Sequence, residues 1–355
     1  MTYKNRQHQE LEMELSHLPG DYLKPLIACF DLLARCNIGF FHGNSSYFKK
    51  YWRYSYIISC VVAYYSSLTV YALKIFLGQM ELFELAYVVP VFVVCTQAIL
   101  KAIIVIIHKG EIRALVLQLG ETWRTDNLTT RQLNKKNLLL KKLNFCYGVF
   151  RIVYSYLGTE FLLISLCSHL STEFCLLRED LLNVKPVGNR RFRILQDSSN
   201  IELHDIVVKH QKLIKFSEQL NEIFNKMIFV NLSSVTITVC FFAFATKVAR
   251  GPVDMANNFM AVMALILPIF NLCYYAEMLI NASAGNKQES AYHSLWYVAN
   301  KQYQMSIWFI IRRSQKPCCL TSLKFSPVAL HTFTAVLSTT WSYFSLASSL
   351  FENEN

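Results

Sequence analysis

Residues 144–177 read NFCYGVFRIVYSYLGTEFLLISLCSHLSTEFCLL, and the number of times this stretch crosses a bilayer decides the topology of the chain. A spanning helix needs about 20 mostly apolar residues. The stretch is too long for one straight span and short for two, and Gly158 separates its halves at 144–157 and 159–177. We therefore expect either a cramped hairpin of two truncated spans, the third and fourth, or a re-entrant segment that never crosses.

Five other apolar stretches are long enough to span a bilayer: 54–77, 85–107, 227–246, 259–280 and 325–350. The 355 residues are 53% hydrophobic and only 17% charged, against about 25% charged residues in ordinary soluble domains. This composition excludes a disordered chain and argues against a single soluble globule, because too few charged side chains remain to cover its surface. The sequence predicts an all-α, polytopic membrane helical bundle over residues 54–350.

The distribution of Lys and Arg decides between an even and an odd number of crossings in 144–177. Cytoplasmic loops of membrane proteins collect these residues. With an even number, 29 of them lie inside, in 1–53, 109–143, 179–226 and 282–324, and two lie outside; with one crossing the split is 17 to 14. The pattern predicts about seven spans with a cytoplasmic N-terminal segment, 1–53. It also explains the net charge of +11 without a nucleic-acid partner.

Two further helices are expected outside the bilayer. Residues 200–226 have one apolar face and extend the span at 227–246 inward. Residues 291–313 place Met305, Trp308 and Phe309 at helical spacing, which predicts a cytoplasmic anchor helix lying on the membrane surface or against partner subunits. Within the spans, Lys101 is expected to snorkel to the inner surface, and Glu160 to sit at an outer turn that water reaches.

The C-terminal third carries a series of short motifs at family-like spacing. The chain has MSIWFIIRRSQKPCCLTSLKFSPVAL at 305–330 and STTWSYFSLASSL at 338–350, and KHQKLIKFSEQLNEIF at 209–224 precedes a predicted span. These segments resemble the closing part of insect odorant receptors, with Trp341 in place of the usual tyrosine. The positions that match the family signature are Trp296, Tyr297, Lys316, Pro317, Leu320, Thr321, Phe325, Ser342, Tyr343 and Phe344.

The resemblance implies a mechanism. Such receptors are seven-helix proteins with the N-terminus inside, and they form heterotetramers with a shared olfactory co-receptor in which the last helix of each subunit lines a cation pore. It implies a location in the plasma membrane, in the dendrites of olfactory sensory neurons. Leu346 and Leu350 match the hydrophobic gate positions, and Ser349 lies beside them; without the resemblance, leucines in this place would be read as facing lipid.

The resemblance also implies an apolar pocket for a small volatile organic ligand, formed by the outer halves of several spans. An apolar ligand needs aromatic and aliphatic walls with few polar groups. For each candidate residue named next, ordinary packing between helices is as good an explanation as a role in lining a pocket. By depth, the candidates are Tyr87, Phe92, Tyr154, Tyr156, Phe259 and Met263.

Other functions remain open at this point. The shortened 144–177 region suggests a non-signalling, truncated isoform of such a receptor. A gustatory receptor is disfavoured because Ser349 and Leu350 stand where that branch has glutamine and phenylalanine, and a transporter because no internal repeat accompanies seven spans. The chain has none of the common metalloprotease, hydrolase or phosphate-loop motifs, so we expect no enzyme. Its scattered cysteines and histidines predict no metal site and no cofactor.

Overall fold

The computed structural model describes residues 15–35, 38–40, 47–78, 82–153, 158–184, 193–247, 249, 251–284, 296–298 and 301–354. Helices dominate these ranges, as the apolar pattern predicts, and the strands found there form one short antiparallel pair that joins Thr321 to Pro327. The elements are α1 Gly20–Arg35, α2 Tyr47–Phe76, α3 Leu82–Ile107, α4 Lys109–Thr122, α5 Thr130–Val153, α6 Gly158–Asn183, α7 Arg193–Lys247, α8 Pro252–Ser283, a 3-10 turn Trp296–Val298, α9 Lys301–Ser314, β1 Thr321–Ser322, β2 Ser326–Pro327 and α10 Leu330–Glu354.

The longest helix, α7, organises the bundle. Its 55 residues extend about 80 Å at 1.5 Å per residue. It contacts α3, α4, α6, α8, α9 and α10. The amphipathic 200–226 segment and the apolar 227–246 segment therefore form one continuous helix.

Apolar helices in this chain have two different surroundings. Four described helices are long and apolar enough to cross a membrane, at Val88–Ile107, Gly158–Asn183, Ile201–Lys247 and Pro252–Ser283. The protein itself buries 22% of the apolar window in Val88–Ile107 but 94% of that in Gly158–Asn183. A helix that is apolar all round is either a membrane span or part of a core. The surface of α3 is available to lipid, whereas α6 is enclosed by α1, α5, α7 and α8.

Helix α6 begins far along the bundle from the first residues of α3 and α8. Glu160, in the first turn of α6, forms an ion pair with Lys101, which lies about 28 Å along the axis of α3 from Leu82. On the other side, Cys146 Sγ of α5 donates to Asn271 Oδ1 at 3.5 Å, and Asn271 lies about 28 Å along α8 from Pro252.

The hydrocarbon core of a bilayer is about 30 Å thick, so in the predicted orientation α6 begins near its inner boundary. How many times residues 144–177 cross the bilayer stays a prediction. The predicted segments 144–157 and 159–177 fall on the end of α5 and on α6, and residues 154–157 lie outside the described part of the chain.

Helix α4 approaches α1 closely at Gly120, which has no room for a side chain. An added Cβ there would lie 2.8 Å from Leu18 Cδ1 and 2.8 Å from Tyr22 Cε1. We expect Gly120→Ala to lower the free energy of unfolding by about 1–3 kcal/mol, because the two buried side chains must leave their packed positions.

Gly110 provides the control on the same helix, since an added Cβ there meets no atom within 4 Å. We expect Gly110→Ala to leave stability unchanged or to raise it by up to about 1 kcal/mol. Thermal unfolding of the purified chain in detergent compares the two variants. Equal losses at both positions would contradict the packing account.

Candidate functional site

The predicted gate residues lie on the exposed end of α10. Leu346 is 57% exposed, and the Ser349 hydroxyl donates to the Leu346 carbonyl at 2.8 Å. Leu350 lies in the same helix, but its side chain is outside the described ones. Ser342 and Tyr343 are exposed as well, whereas Phe344 is half-buried. This end of α10 therefore presents a surface to lipid or to neighbouring subunits, and the pore-lining role of these residues stays a prediction.

The start of α10 is fixed to the bundle. The Leu330 N–H donates to Glu277 Oε2 of α8 at 3.1 Å, and the rings of Phe333 and Phe270 pack with centroids 5.4 Å apart. Thr340 is the last described residue of α10 that is buried. The helix is thus held at its inner end and is free of protein contacts over much of its outer surface.

The signature segment before α10 forms a tight hairpin. Leu323 and Lys324 adopt left-handed backbone angles, with φ of 48° and 65°, and the Val328 N–H donates to the Leu320 carbonyl at 2.8 Å. Lys316 and Pro317 are exposed on the approach to the hairpin. Trp296 and Tyr297 lie in the 3-10 turn, with Trp296 half-buried and Tyr297 exposed.

One side chain of α7 holds this hairpin in place. Asn221 Oδ1 accepts hydrogen bonds from the Thr321 N–H at 2.7 Å and from the Thr321 hydroxyl at 2.9 Å. We expect Asn221→Ala to cost about 1–3 kcal/mol of unfolding free energy, because two partly buried donors lose their acceptor. Asn221→Asp keeps an acceptor oxygen and should lose clearly less. Unfolding midpoints of the two purified variants test this, and an alanine variant as stable as the aspartate variant would contradict it.

Helix α9 leaves uncovered the apolar face that the sequence assigned to the membrane surface or to partner subunits, and that assignment stays a prediction. The residues packed inward are Tyr303, Ile307, Ile310 and Ser314. Met305, Trp308 and Phe309 are exposed, and the Arg312 guanidinium lies 5.2 Å from the centre of the Trp308 ring. The helix is apolar on two sides, so the sequence pattern could not tell which one the protein covers.

The predicted pocket residues are not gathered into one enclosed site among the residues that the structure describes. Phe92 of α3 is partly exposed, and its ring packs edge-on to Tyr65 of α2 at 6.2 Å. Phe259 and Met263 are exposed one turn apart on α8. The side chain of Tyr87 and the whole of Tyr154 and Tyr156 lie outside the described residues.

A buried polar layer joins α3, α6 and α7 at the first turn of α6. Glu160 is 2% exposed and pairs with Lys101, and the Thr159 hydroxyl donates to Glu160 Oε2 at 2.7 Å. Beside them, Gln97 Nε2 of α3 donates to Asn231 Oδ1 of α7. The expectations of a snorkelling Lys101 and a hydrated Glu160 are wrong, because the two side chains are buried and pair with each other.

A second polar cluster fixes the cytoplasmic half. The Arg124 N–H and Nε donate to Glu173 of α6 at 3.1 and 3.3 Å, and Lys136 Nζ lies 2.6 Å from Asp21 Oδ2 of α1. Burial raises the pKa of Asp21, but its contacts with Lys136 and the Trp123 indole outweigh burial and hold the pKa below the usual value. The stabilising effect of the Asp21–Lys136 pair is therefore lost only as the pH falls through the lowered pKa of Asp21.

The sequence interpretation missed this polar cluster because its members come from separate helices.

Comparison with known proteins identifies the family. A family model described as the 7tm odorant receptor matches residues 142–341, more than half of the chain. This chain belongs to the odorant receptor family. The insect odorant receptor resemblance read from the C-terminal motifs is confirmed, and so is the expectation that the protein is not an enzyme. Odorant receptors are multi-pass membrane proteins, in keeping with the apolar helices.

Relatives and solved structures agree with this assignment. The chain is 30% identical over 193 residues to putative odorant receptor 92a of Drosophila melanogaster, covering 54% of this chain and 45% of the relative. It is 29% identical over 160 residues to odorant receptor 67c of the same species, covering 44% and 39%. The chain thus spans about half the length or less of these curated relatives.

The bundle as a whole resembles a solved insect receptor. The olfactory receptor OR5 from Machilis hrabei in complex with eugenol superposes with a TM-score of 0.71 at 14% identity, covering 93% of this chain and 100% of that one. Identity this low shows a shared fold only. The odorant receptor described here therefore has the helical architecture of an insect olfactory receptor.

Proposed function

We propose that this odorant receptor is the odorant-sensing subunit of a ligand-gated, nonselective cation channel, acting in a heteromer with the olfactory co-receptor in the plasma membrane of olfactory sensory neuron dendrites. The observation that carries the proposal is the construction of the C-terminal end. Asn221 holds the hairpin before α10, Glu277 holds the first residue of α10, and the far end of the helix exposes Leu346 and Ser349. A helix fixed at one end and uncovered at the other suits a pore-lining element, because small displacements of an apolar ring switch conduction by dewetting.

The shortened 144–177 region supports a second candidate function, that of a non-signalling isoform. Of the six residues proposed for the odorant pocket, Tyr154 and Tyr156 belong to this region. If odorant binding requires walls from the outer half of that region, this chain assembles with the co-receptor without sensing a volatile. The gustatory and transporter alternatives lose their support because the family match is to odorant receptors.

Co-expression of this chain with an olfactory co-receptor decides between the two functions. We expect whole-cell cation current evoked by at least one member of a volatile panel, above the current of cells that express the co-receptor alone. Surface labelling and co-purification establish that the two chains assemble. Assembly at the surface without any volatile-evoked current would contradict the sensing function and favour the non-signalling isoform.

A further inference from the structure

One face of α5 is uncovered in the second half of the helix. Leu138, Lys141, Lys142 and Phe145 are all exposed there, Leu138 by 55% and Phe145 by 74%. Residues three and four apart are neighbours on a helix surface, so these four side chains form one continuous surface, which we call the α5 patch. The opposite face of the helix packs into the protein, where Leu143 is buried.

Helix α5 is rich in basic residues and contains no acidic one. It carries six Lys and Arg residues and no Asp or Glu. Arg131, Lys135 and Lys136 form ion pairs with carboxylates of α6 or α1. Lys141 and Lys142 have no ion-pair or hydrogen-bond partner in the part of the chain that the structure describes. The described carboxylates therefore serve the first half of α5 and leave the two ammonium groups of the α5 patch without a counter-charge.

The α5 patch lies at the depth of the lipid headgroups in the predicted orientation. Cys146, the neighbour of Phe145, bonds to Asn271, which lies about 28 Å along α8 from its outer end. The hydrocarbon core is about 30 Å thick, so Phe145 lies near its inner edge. Lys141 and Lys142 lie about 5–6 Å closer to the cytoplasmic start of α5, which is within the polar layer of the bilayer.

We propose that the α5 patch binds the headgroup of an anionic phospholipid in the inner leaflet of the membrane. The ammonium groups of Lys141 and Lys142 contact the headgroup, because the cytoplasmic leaflet supplies anionic lipid at this depth. The Phe145 ring lies at the boundary with the acyl chains, where aromatic side chains anchor membrane proteins. A contact with hydrocarbon favours lipid over a soluble acidic partner. The inference goes beyond the proposed channel function and rests on the predicted orientation.

Photolabelling of the full chain in phosphatidylcholine nanodiscs tests the α5 patch. The probe is a trace of phosphatidylserine with a diazirine at the top of one acyl chain, and phosphatidylcholine with the same diazirine is the comparison lipid. We expect about tenfold more label from the serine lipid in the peptide that contains residues 138–148, since each lysine near an anionic surface contributes about fivefold. Unlabelled phosphatidylserine should remove this label, and soluble glycerophosphoserine should not.

Charge variants show whether the two lysines hold the lipid. Lys141→Gln combined with Lys142→Gln should reduce the serine-lipid label about tenfold, to the level of the choline lipid. The double arginine variant at the same positions keeps both charges and should keep most of the label. Lys209→Gln combined with Lys212→Gln is the control, because these exposed lysines lie on α7, more than about 20 Å before the predicted span at 227–246, and the label should stay unchanged.

Several results would overturn the proposal. They are equal labelling by the two lipids, an equal loss in the control variant, removal of the label by glycerophosphoserine, which would indicate a site for soluble anions, and absence of label from residues 138–148. Unfolding midpoints close to that of the unsubstituted chain show that the variants are folded.

The labelling experiment needs no co-receptor, volatile or current, so its failure differs from failure of the proposed function. A volatile-evoked current from a chain whose α5 patch shows no preference for the anionic lipid would overturn the patch and leave the channel function standing. Selective labelling without any evoked current would support the patch and contradict the sensing function.

Discussion

Replacing Glu160 with leucine is expected to lower the free energy of unfolding by about 3–5 kcal/mol. The change leaves the Lys101 ammonium in a buried position without its carboxylate, and breaking a buried ion pair by removing one partner is among the most destabilising single changes. Both members of the pair are buried. Reversible unfolding of the purified chain in mixed micelles with a rising fraction of SDS measures the effect.

A double variant separates the cost of the orphaned charge from the value of the pair itself. Lys101→Met combined with Glu160→Leu should recover most of the lost stability, since replacing a buried pair with apolar side chains is often neutral or favourable. Glu111→Gln is the surface control, because the Glu111 side chain is exposed where it pairs with His108, and this change should alter stability by less than about 0.5 kcal/mol. A Glu160→Leu loss no larger than the control, or a double variant less stable than the single one, would contradict the buried pair.

Replacing Leu346 with serine is expected to raise the resting current of the channel by roughly one order of magnitude. If Leu346 closes the pore, the closed state buries this apolar side chain against its neighbours and excludes water. Burying a leucine side chain is worth about 1.5–3 kcal/mol, and about 1.4 kcal/mol shifts an equilibrium tenfold. Whole-cell recording without a stimulus, from cells that also express the co-receptor, measures the open fraction at rest.

Leu100→Ser provides the matched control for the gate variant. Leu100 is an exposed leucine of α3, so the same chemical change is made on a surface that faces lipid in the predicted orientation. Resting current should stay at the unsubstituted level in this variant. An equal rise in both variants, or no rise for Leu346→Ser at normal surface expression, would show that Leu346 faces lipid instead of a pore.

The sequence predicts which segments of this receptor form helices better than it predicts how deeply each helix is buried in the bundle. Residues 200–226 and 227–246 are each clear from periodicity and length, and they join as α7 because no proline or glycine interrupts them. Length and hydropathy make both α6, which protein encloses, and α3, which lipid can reach, candidate spans, because both environments select apolar side chains. Only the packing of α1, α5, α7 and α8 around α6 shows the difference.

The polar contacts of the candidate sites depend on pairs that are distant in sequence. Lys101 and Glu160 are 59 residues apart, so no local sequence pattern pairs them. The signal that could have paired them is that each is a charged residue of opposite sign inside an apolar stretch. Asn221 and Thr321 are 100 residues apart. By contrast, the motifs at 209–224 and 291–350 identify the family from sequence alone, because they are contiguous and their spacing is preserved. The pocket residues, chosen by depth alone, had no such support.

Thiol modification of the last helix tests most directly whether this chain forms part of an odorant-gated pore. Leu346→Cys is co-expressed with the co-receptor, a volatile opens the channel, and a charged, membrane-impermeant methanethiosulfonate reagent is applied. The account predicts a large, lasting loss of the evoked current in the variant and no loss in the unsubstituted chain, whose native cysteines serve as the background. An evoked current that the reagent leaves intact at Leu346→Cys, Ser349→Cys and Leu350→Cys would contradict the placement of α10 in the pore.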